Sequence, residues 1–179
     1  MTGETRFLAE LFSSWHSTIL RASAELESEE FFGNESVQMS MFWTMMHLTG
    51  LMEWVCYTIT GIPTSAPVAL LDKFKGELEG EEPTVTDVAI PRQDVISLFE
   101  SAGRRMERVF LQVNGSRLDQ EISESTTAKV FPTVGSLLSA VASQGFFHLG
   151  QLSLSTPTLV MRPSLTLPTM FKDGNLEEE

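Results

Sequence analysis

Two histidines and one glutamine are the residues of this sequence whose types and spacing could support chemistry together. His47 lies within a long apolar segment, and His148 lies in a second apolar segment much later in the chain. Gln144 precedes His148 by four residues, so on a helix the two side chains share a face, about 6 Å apart along the axis. If the two segments are neighbouring helices of a bundle, all three side chains can point at one atom, as in metal sites built inside bundles.

A second interpretation of these residues needs no ligand. A single histidine on a buried helix is usually a core residue whose ring is hydrogen-bonded. Gln144 can both donate and accept hydrogen bonds, so it could satisfy His148 or His47 directly. From the residues alone, a ligand site and a hydrogen-bonded core both stay open.

Three glycines lie close to these histidines in the sequence. Gly145 and Gly150 flank His148, and Gly50 follows His47 by three residues. A glycine inside a helix costs about 1 kcal/mol relative to alanine, so its presence suggests the close approach of another element or a ligand. We therefore expect the two histidine-bearing helices to approach each other at these glycines.

The spacing of the remaining polar residues excludes several other chemistries. Cys56 follows His47 by nine residues, which places it on nearly the opposite helix face and about 13 Å along the axis, too far for a nucleophilic dyad. None of the three histidines has a glutamate three residues before it, as a di-iron bundle requires. We expect Cys56 to be a small core residue, His16 to lie at the boundary of the core, and Glu53 to pair with an arginine or lysine on another helix.

The composition restricts the partners of the chain. Its 179 residues include 24 acidic and 12 basic side chains, for a net charge of −12. This excess argues against binding to nucleic acid or to an anionic membrane surface, because both favour clustered lysine and arginine. The single cysteine cannot form an internal disulfide, and the N-terminal residues lack the pattern of a secretory signal, so we expect a cytoplasmic protein.

The elements that must position the candidate residues are helices. Apolar residues recur at helical spacing in four segments, which predicts an all-α fold, a four-helix bundle with long crossover connections. The apolar run over residues 37–62 is long enough to cross a bilayer, but it carries Glu53 and His47 and has an acidic flank, so we expect the buried helix of a bundle. The predicted helices cover residues 4–28, 35–60, 91–113 and 133–155, with a short helix over 68–74 in the connection 63–90 and a polar loop over 114–132.

The chain divides into two predicted parts. Residues 1–156 form the bundle domain. Residues 157–179 contain Pro157, Pro163 and Pro168, a density of proline that a regular helix does not tolerate. We expect them to form an extended arm that packs on the bundle or on a neighbouring subunit. Because symmetric pairs are the commonest oligomers, a homodimer is the expected assembly.

Together these features resemble the DinB/YfiT-like family (DinB superfamily) of four-helix bundles. The resemblance covers residues 4–155 and rests on the order of the four helices, on His47, and on the sequence His-Leu-Gly-Gln-Leu over residues 148–152. Members of that family carry one metal-binding histidine on the second helix and an HxxxH pair on the fourth. Gln144 stands where the first histidine of that pair would be. The resemblance implies a divalent metal bound by His47 and His148, with Gln144 matching a ligand by position only; imidazole ligands suit Zn, Ni or Fe.

The resemblance also suggests a reaction class. Some members of the family are thiol-dependent transferases or isomerases, which implies a metal-dependent transferase or hydrolase acting on a small molecule. Three protein ligands would leave positions open for water, which a bound metal can turn into a nucleophile near neutral pH. No residue of the sequence stands out as a general base, so no catalytic residue is assigned. The alternative is a non-catalytic bundle with a degenerate metal site, acting as a binding or dimerisation module.

Overall fold

The computed structural model describes residues 2–33, 40–74, 90–123 and 125–155, and this part of the chain is mostly α-helical. The described residues form no β-strand, only one isolated antiparallel bridge between Glu121 and Thr133. Four helices are long and the others span six residues or fewer. The helices are α1 (Gly3–Glu25), α2 (Ser28–Phe32), α3 (Met41–Thr60), α4 (Val68–Leu71), α5 (Arg92–Gln112), α6 (Gly115–Leu118), α7 (Ser125–Val130) and α8 (Val134–Ser155), with a 3₁₀ turn at Asp72–Phe74.

Local signals in the sequence set the ends of the long helices. The hydroxyl oxygens of Thr2 and Ser40 each accept a hydrogen bond from the backbone N–H three residues later, which caps α1 and α3. Helix α3 ends at Gly61, whose φ of 69° lies in the left-handed region that favours glycine. The backbone N–H of Gly61 donates to the Tyr57 carbonyl at 2.7 Å, and Pro63 follows. The end of α3 therefore lies at the residue that the sequence predicts, Thr60.

The four long helices share one apolar core. Helix α1 packs against α5 and α8, and α3 packs against the same two helices. The core is rich in aromatic and methionine side chains, which supply large buried surfaces. The largest fully buried side chains are Trp15, Phe12, Phe31, Phe99, Phe110, Ile19, Met41, Met45, Met46, Leu48, Met52 and Met106.

Arginines from elsewhere in the chain bind the carbonyl groups at the C-terminal ends of α1 and α3. Neither helix has a basic residue in its own last turn. The Arg92 guanidinium donates to the carbonyl oxygens of Leu26, at 2.8 Å, and Ser23. The Arg117 guanidinium donates to the Ile59 carbonyl at 2.8 Å. A cation at this end of a helix also interacts favourably with the helix dipole.

The structure confirms the all-α prediction for the described residues, and the four long helices lie near the predicted ranges. The predicted start of the second helix at residue 35 is wrong, because Ser40 caps α3 and the helix begins at Met41, and α1 ends at Glu25 instead of residue 28. The predicted short helix over residues 68–74 is present as α4 and the 3₁₀ turn that follows it. The polar loop predicted over 114–132 is wrong, because α6 and α7 lie within it. The proposed arm at 157–179 lies outside the described residues. No helix in the described ranges combines the length and apolar character needed to cross a membrane.

Candidate functional site

The structure brings His47 of α3 and His148 of α8 into direct contact. The centroids of their imidazole rings lie 4.9 Å apart, with the ring planes inclined at 66°. His148 is 3 % exposed, and His47 is partly buried. The packing of α3 against α8 therefore joins two residues that are far apart in the sequence.

The orientation of the His47 ring is fixed on two sides. Its Nδ1 lies 2.8 Å from the carbonyl oxygen of Phe74. A carbonyl only accepts hydrogen bonds, so Nδ1 carries the hydrogen and Nε2 is the unprotonated nitrogen of the neutral ring. The Trp43 indole stacks on the same ring at 4.7 Å and 8°. A backbone carbonyl that holds the second nitrogen is the usual support of a metal-binding histidine.

Burial lowers the pKa of His47, and its hydrogen bond to the Phe74 carbonyl only partly opposes this effect. Burial, and then the neighbouring His47, lower the pKa of His148 to about 4, against an opposing polar contact with Gln151. Both rings are therefore neutral near pH 7, and the neutral imidazole is the form that binds a metal.

Gln144 and Gln151 contact His148 from the same helix. The Gln144 Nε2 lies 3.5 Å from the His148 Nε2, a long hydrogen bond. Rotation of this amide by half a turn would present its oxygen instead, which is a metal ligand and not a donor. The His148 Nδ1 and the Gln151 Oε1 are both buried, and neither makes a hydrogen bond of regular geometry. The His148 Nδ1 can donate and the Gln151 Oε1 can accept, so two complementary groups lie close together without a regular hydrogen bond.

The site is poor in charged ligands. No cysteine, aspartate or glutamate joins the two histidines as a third ionisable ligand anywhere in the described ranges. An amide oxygen and water are weaker ligands for zinc than cysteine, histidine or carboxylate side chains. The residues here that could hold a metal are therefore the two imidazoles and the Gln144 amide, a set that would bind it with lower affinity than three histidines.

Three residues that position the histidines were not predicted from the sequence. Trp43 precedes His47 by four residues and Gln151 follows His148 by three, so helical spacing alone could have identified both. Phe74 contributes only its backbone carbonyl, so no pattern of side chains could have revealed it.

The glycines near the histidines pack differently from the prediction. A Cβ atom on Gly145 would lie 2.0 Å from the Trp15 Cδ2, so this glycine allows α1 to approach α8. A Cβ on Gly50 would lie 3.9 Å from the Leu71 Cβ, and one on Gly150 would have no neighbour within 4 Å. The expectation that glycines draw α3 and α8 together is wrong.

The structure confirms two of the three expectations for residues outside the pair. Cys56 is buried in the core with its Sγ 3.8 Å from the Met106 Sδ, and burial raises its pKa to about 11, so the thiol stays protonated. The Glu53 carboxylate pairs with Arg105 of α5, as predicted, at 3.1 Å. His16 is not a boundary residue, because it is only 7 % exposed.

No protein-family model matches the sequence, and the search of curated proteins gives no match either.

Proposed function

We propose that this protein is a DinB/YfiT-like four-helix bundle that binds a divalent transition metal between α3 and α8. His47 and His148 are the ligands, and Gln144 supplies a weak third ligand or holds a water. The observation that supports this best is the contact of the two imidazoles at 4.9 Å, with the His47 Nδ1 already engaged by the Phe74 carbonyl. A core histidine needs a hydrogen-bond partner, but it does not need a second imidazole against its ring.

The donor set suits a borderline ion such as Zn, Ni or Fe. Both imidazoles are neutral near pH 7, the form that suits such an ion. The Nδ1 of His148 and the Oε1 of Gln151 are buried polar atoms without regular hydrogen bonds. In a metal-bound state, the contact of Gln151 with His148 would orient the second imidazole, as the Phe74 carbonyl orients the first.

A metal with two or three protein ligands keeps positions open for a substrate or water, which would support a metal-dependent transferase or hydrolase reaction on a small molecule. The chain's own residues hold and orient the ligands: Phe74 fixes the tautomer of His47, and the Trp43 indole stacks on one face of that ring. A thiol substrate or a water would have to lose its proton to solvent or to the second substrate. This is because no carboxylate of the described ranges lies with the two histidines.

Elemental analysis tests the proposal. Untagged protein purified without chelator should contain close to one equivalent of Zn, Ni or Fe per chain, and the His47→Ala/His148→Ala double variant should contain none. The matched control is His16→Gln, which removes the third buried histidine and should keep the metal. Equal metal content in the parent and the double variant, or none in either after titration with Zn²⁺, would contradict the proposal.

One observation favours a second function, a non-catalytic bundle with a degenerate site. The Gln144 amide already reaches the His148 Nε2 at 3.5 Å, so the pair can be satisfied without a metal. The protein would then act as a binding or dimerisation module. In that case His47→Ala has the same stability in chelator as in added metal, and sedimentation equilibrium shows a homodimer.

A further inference from the structure

A cavity of about 600 Å³ lies beside α3, between this helix and the segment that follows it. One wall is a stripe of α3 at helical spacing, formed by His47, Gly50, Leu51 and Trp54. The facing wall comes from residues 63–74. His47 contributes to the cavity wall, and His148 does not.

Polar contacts hold the facing segment at both ends of the cavity. At one end the Ser65 hydroxyl donates to the Glu53 Oε1 at 3.2 Å, and the Glu53 Oε2 lies 3.1 Å from the Arg105 Nη1. At the other end the His47 Nδ1 donates to the Phe74 carbonyl at 2.8 Å. These contacts tie both ends of the segment to α3, with the cavity between them.

The walls indicate what would fill the cavity. Leu51, Trp54, Val68 and Leu71 supply apolar surface, and a cavity of this size takes a drug-sized molecule. The Glu53 side chain lines the cavity and is 2 % exposed, and each of its oxygens has one partner, the Ser65 hydroxyl at Oε1 and the Arg105 guanidinium at Oε2. A carboxylate oxygen can accept a second hydrogen bond, so this buried group favours a ligand that donates one.

The mouth of the cavity is apolar as well. Tyr57 is 55 % exposed and Val68 is 56 % exposed, and both belong to the lining. We infer that this cavity binds a small neutral aromatic or alicyclic molecule whose hydroxyl or amide N–H donates to Glu53. The inference goes beyond the proposed metal site and does not depend on it, because His47 contributes only one part of the wall.

The first experiment measures the fluorescence of N-phenyl-1-naphthylamine, a neutral apolar probe, with the full chain in EDTA. The parent should enhance the fluorescence with saturation at one probe per chain. Gly50→Leu projects a side chain from the cavity wall and should weaken binding about tenfold or more, a loss of about 1.4 kcal/mol per decade. The matched control is Gly150→Leu, at a helical glycine with open space around it, which should bind as the parent does.

A second variant covers the case in which Gly50→Leu does not fold. Val68→Trp adds a bulky side chain at the exposed mouth of the cavity, where it does not disturb the core, and should also weaken binding of the probe. Unchanged binding by a folded variant of either kind, or no saturable binding by the parent, would overturn the inference. So would a sedimentation result in which probe binding disappears as a dimer forms, because a second copy would then occupy the cavity.

A pair of competitors tests the hydrogen bond to Glu53. 2-Naphthol and 2-methoxynaphthalene share one ring system, but only the first can donate. 2-Naphthol should displace the probe at a concentration about tenfold lower than 2-methoxynaphthalene does, as expected for a hydrogen bond to a charged group. Equal potency would overturn the assignment of Glu53 as the acceptor. Because the assay runs in EDTA, its failure and the failure of the metal proposal can be told apart.

Discussion

The two places where this protein buries histidine differ in what surrounds the ring. His16 of α1 stacks between Phe12, at 5.5 Å and 16°, and Phe99, at 4.6 Å and 17°. Its Nε2 lies 3.3 Å from the Phe99 carbonyl, and its edge lies directly against Gly103 of α5. The His16 ring thus packs against aromatic rings, a backbone carbonyl and a glycine, and no second imidazole is among these contacts.

The pair of His47 and His148 is surrounded differently. Each ring has the other imidazole as a neighbour, and the His148 Nδ1 makes no regular hydrogen bond. Burial lowers the pKa at all three histidines, so a lowered pKa does not separate the two regions. The two regions therefore differ in the second imidazole and in the nitrogen without a regular hydrogen bond, and not in the burial of a histidine.

The largest expected effect is the difference in stability between two glycine-to-alanine substitutions, one in each histidine region. Gly103→Ala would place a Cβ atom 2.1 Å from the His16 Nε2, and this ring cannot swing away because two phenylalanine rings hold it. We expect a loss of about 3 kcal/mol in the free energy of unfolding. Gly50→Ala, near His47, meets its first neighbour at 3.9 Å and should gain about 0.5–1 kcal/mol from helix propensity. Urea unfolding measures both, and equal losses would mean that the two regions are packed alike.

The second expected effect is a stabilisation by metal that depends on His47 and His148 but not on His16. At a free Zn²⁺ concentration one hundred times its Kd, the free energy of unfolding of the parent should rise by about 2.7 kcal/mol, and EDTA should remove the gain. His16→Gln should keep this difference between Zn²⁺ and EDTA, whereas His47→Ala/His148→Ala should lose it. A shift that persists in the double variant would place the metal elsewhere.

Gln144→His would give the chain the three-histidine pattern of the DinB/YfiT-like proteins. If the proposed metal site is present, an imidazole one helical turn from His148 replaces the weak amide ligand, so the affinity for Zn²⁺ should rise by a decade or more, about 1.4 kcal/mol per decade. Competition titration with a chromophoric chelator measures the change. An affinity equal to that of the parent would mean that position 144 does not face the metal.

The smallest effect is the pH dependence of His16. Burial lowers its pKa from the ordinary 6.5, and the hydrogen bond to Phe99 and the charges of Glu107 and Glu100 only partly oppose this. The stability that neutral His16 contributes is fully present above pH 6.5, the ordinary pKa of the unfolded chain. This stability is lost as the pH falls, because the unfolded chain binds a proton at His16 at a higher pH than the folded chain does. Between about pH 7 and pH 5, the unfolding free energy of His16→Gln should therefore fall less steeply than that of the parent. The other two histidines are common to both proteins, so identical slopes would contradict a lowered pKa at His16.

Much of the fold follows from the sequence because its signals are local. The apolar spacing and the punctuation by Gly61 and Pro63 place the end of α3 at the residue where the structure ends it. The spacing of Gln144 and His148 likewise predicts their shared face. These signals act within a few turns of one helix.

The remaining features depend on which helix lies against which. The Phe74 carbonyl lies 27 residues from His47 in the chain, and the contact belongs to the tertiary fold alone. Gly145 marks a close approach, but only the fold shows that Trp15 occupies the space and that α3 does not. His16 falls at the edge of its apolar stripe, and it is buried because Gly103 on another helix leaves room for it.

The arginines that donate hydrogen bonds to the C-terminal carbonyl groups of α1 and α3 have a consequence for synthesis on the ribosome. Arg92 reaches back 66 residues to the Leu26 carbonyl, and Arg117 reaches back 58 residues to that of Ile59. In a nascent chain the carbonyl groups at the end of α1 therefore lack the Arg92 guanidinium until all of α3 has been made and α5 begins to emerge. A chain arrested before residue 92 should remain sensitive to proteolysis around Leu26.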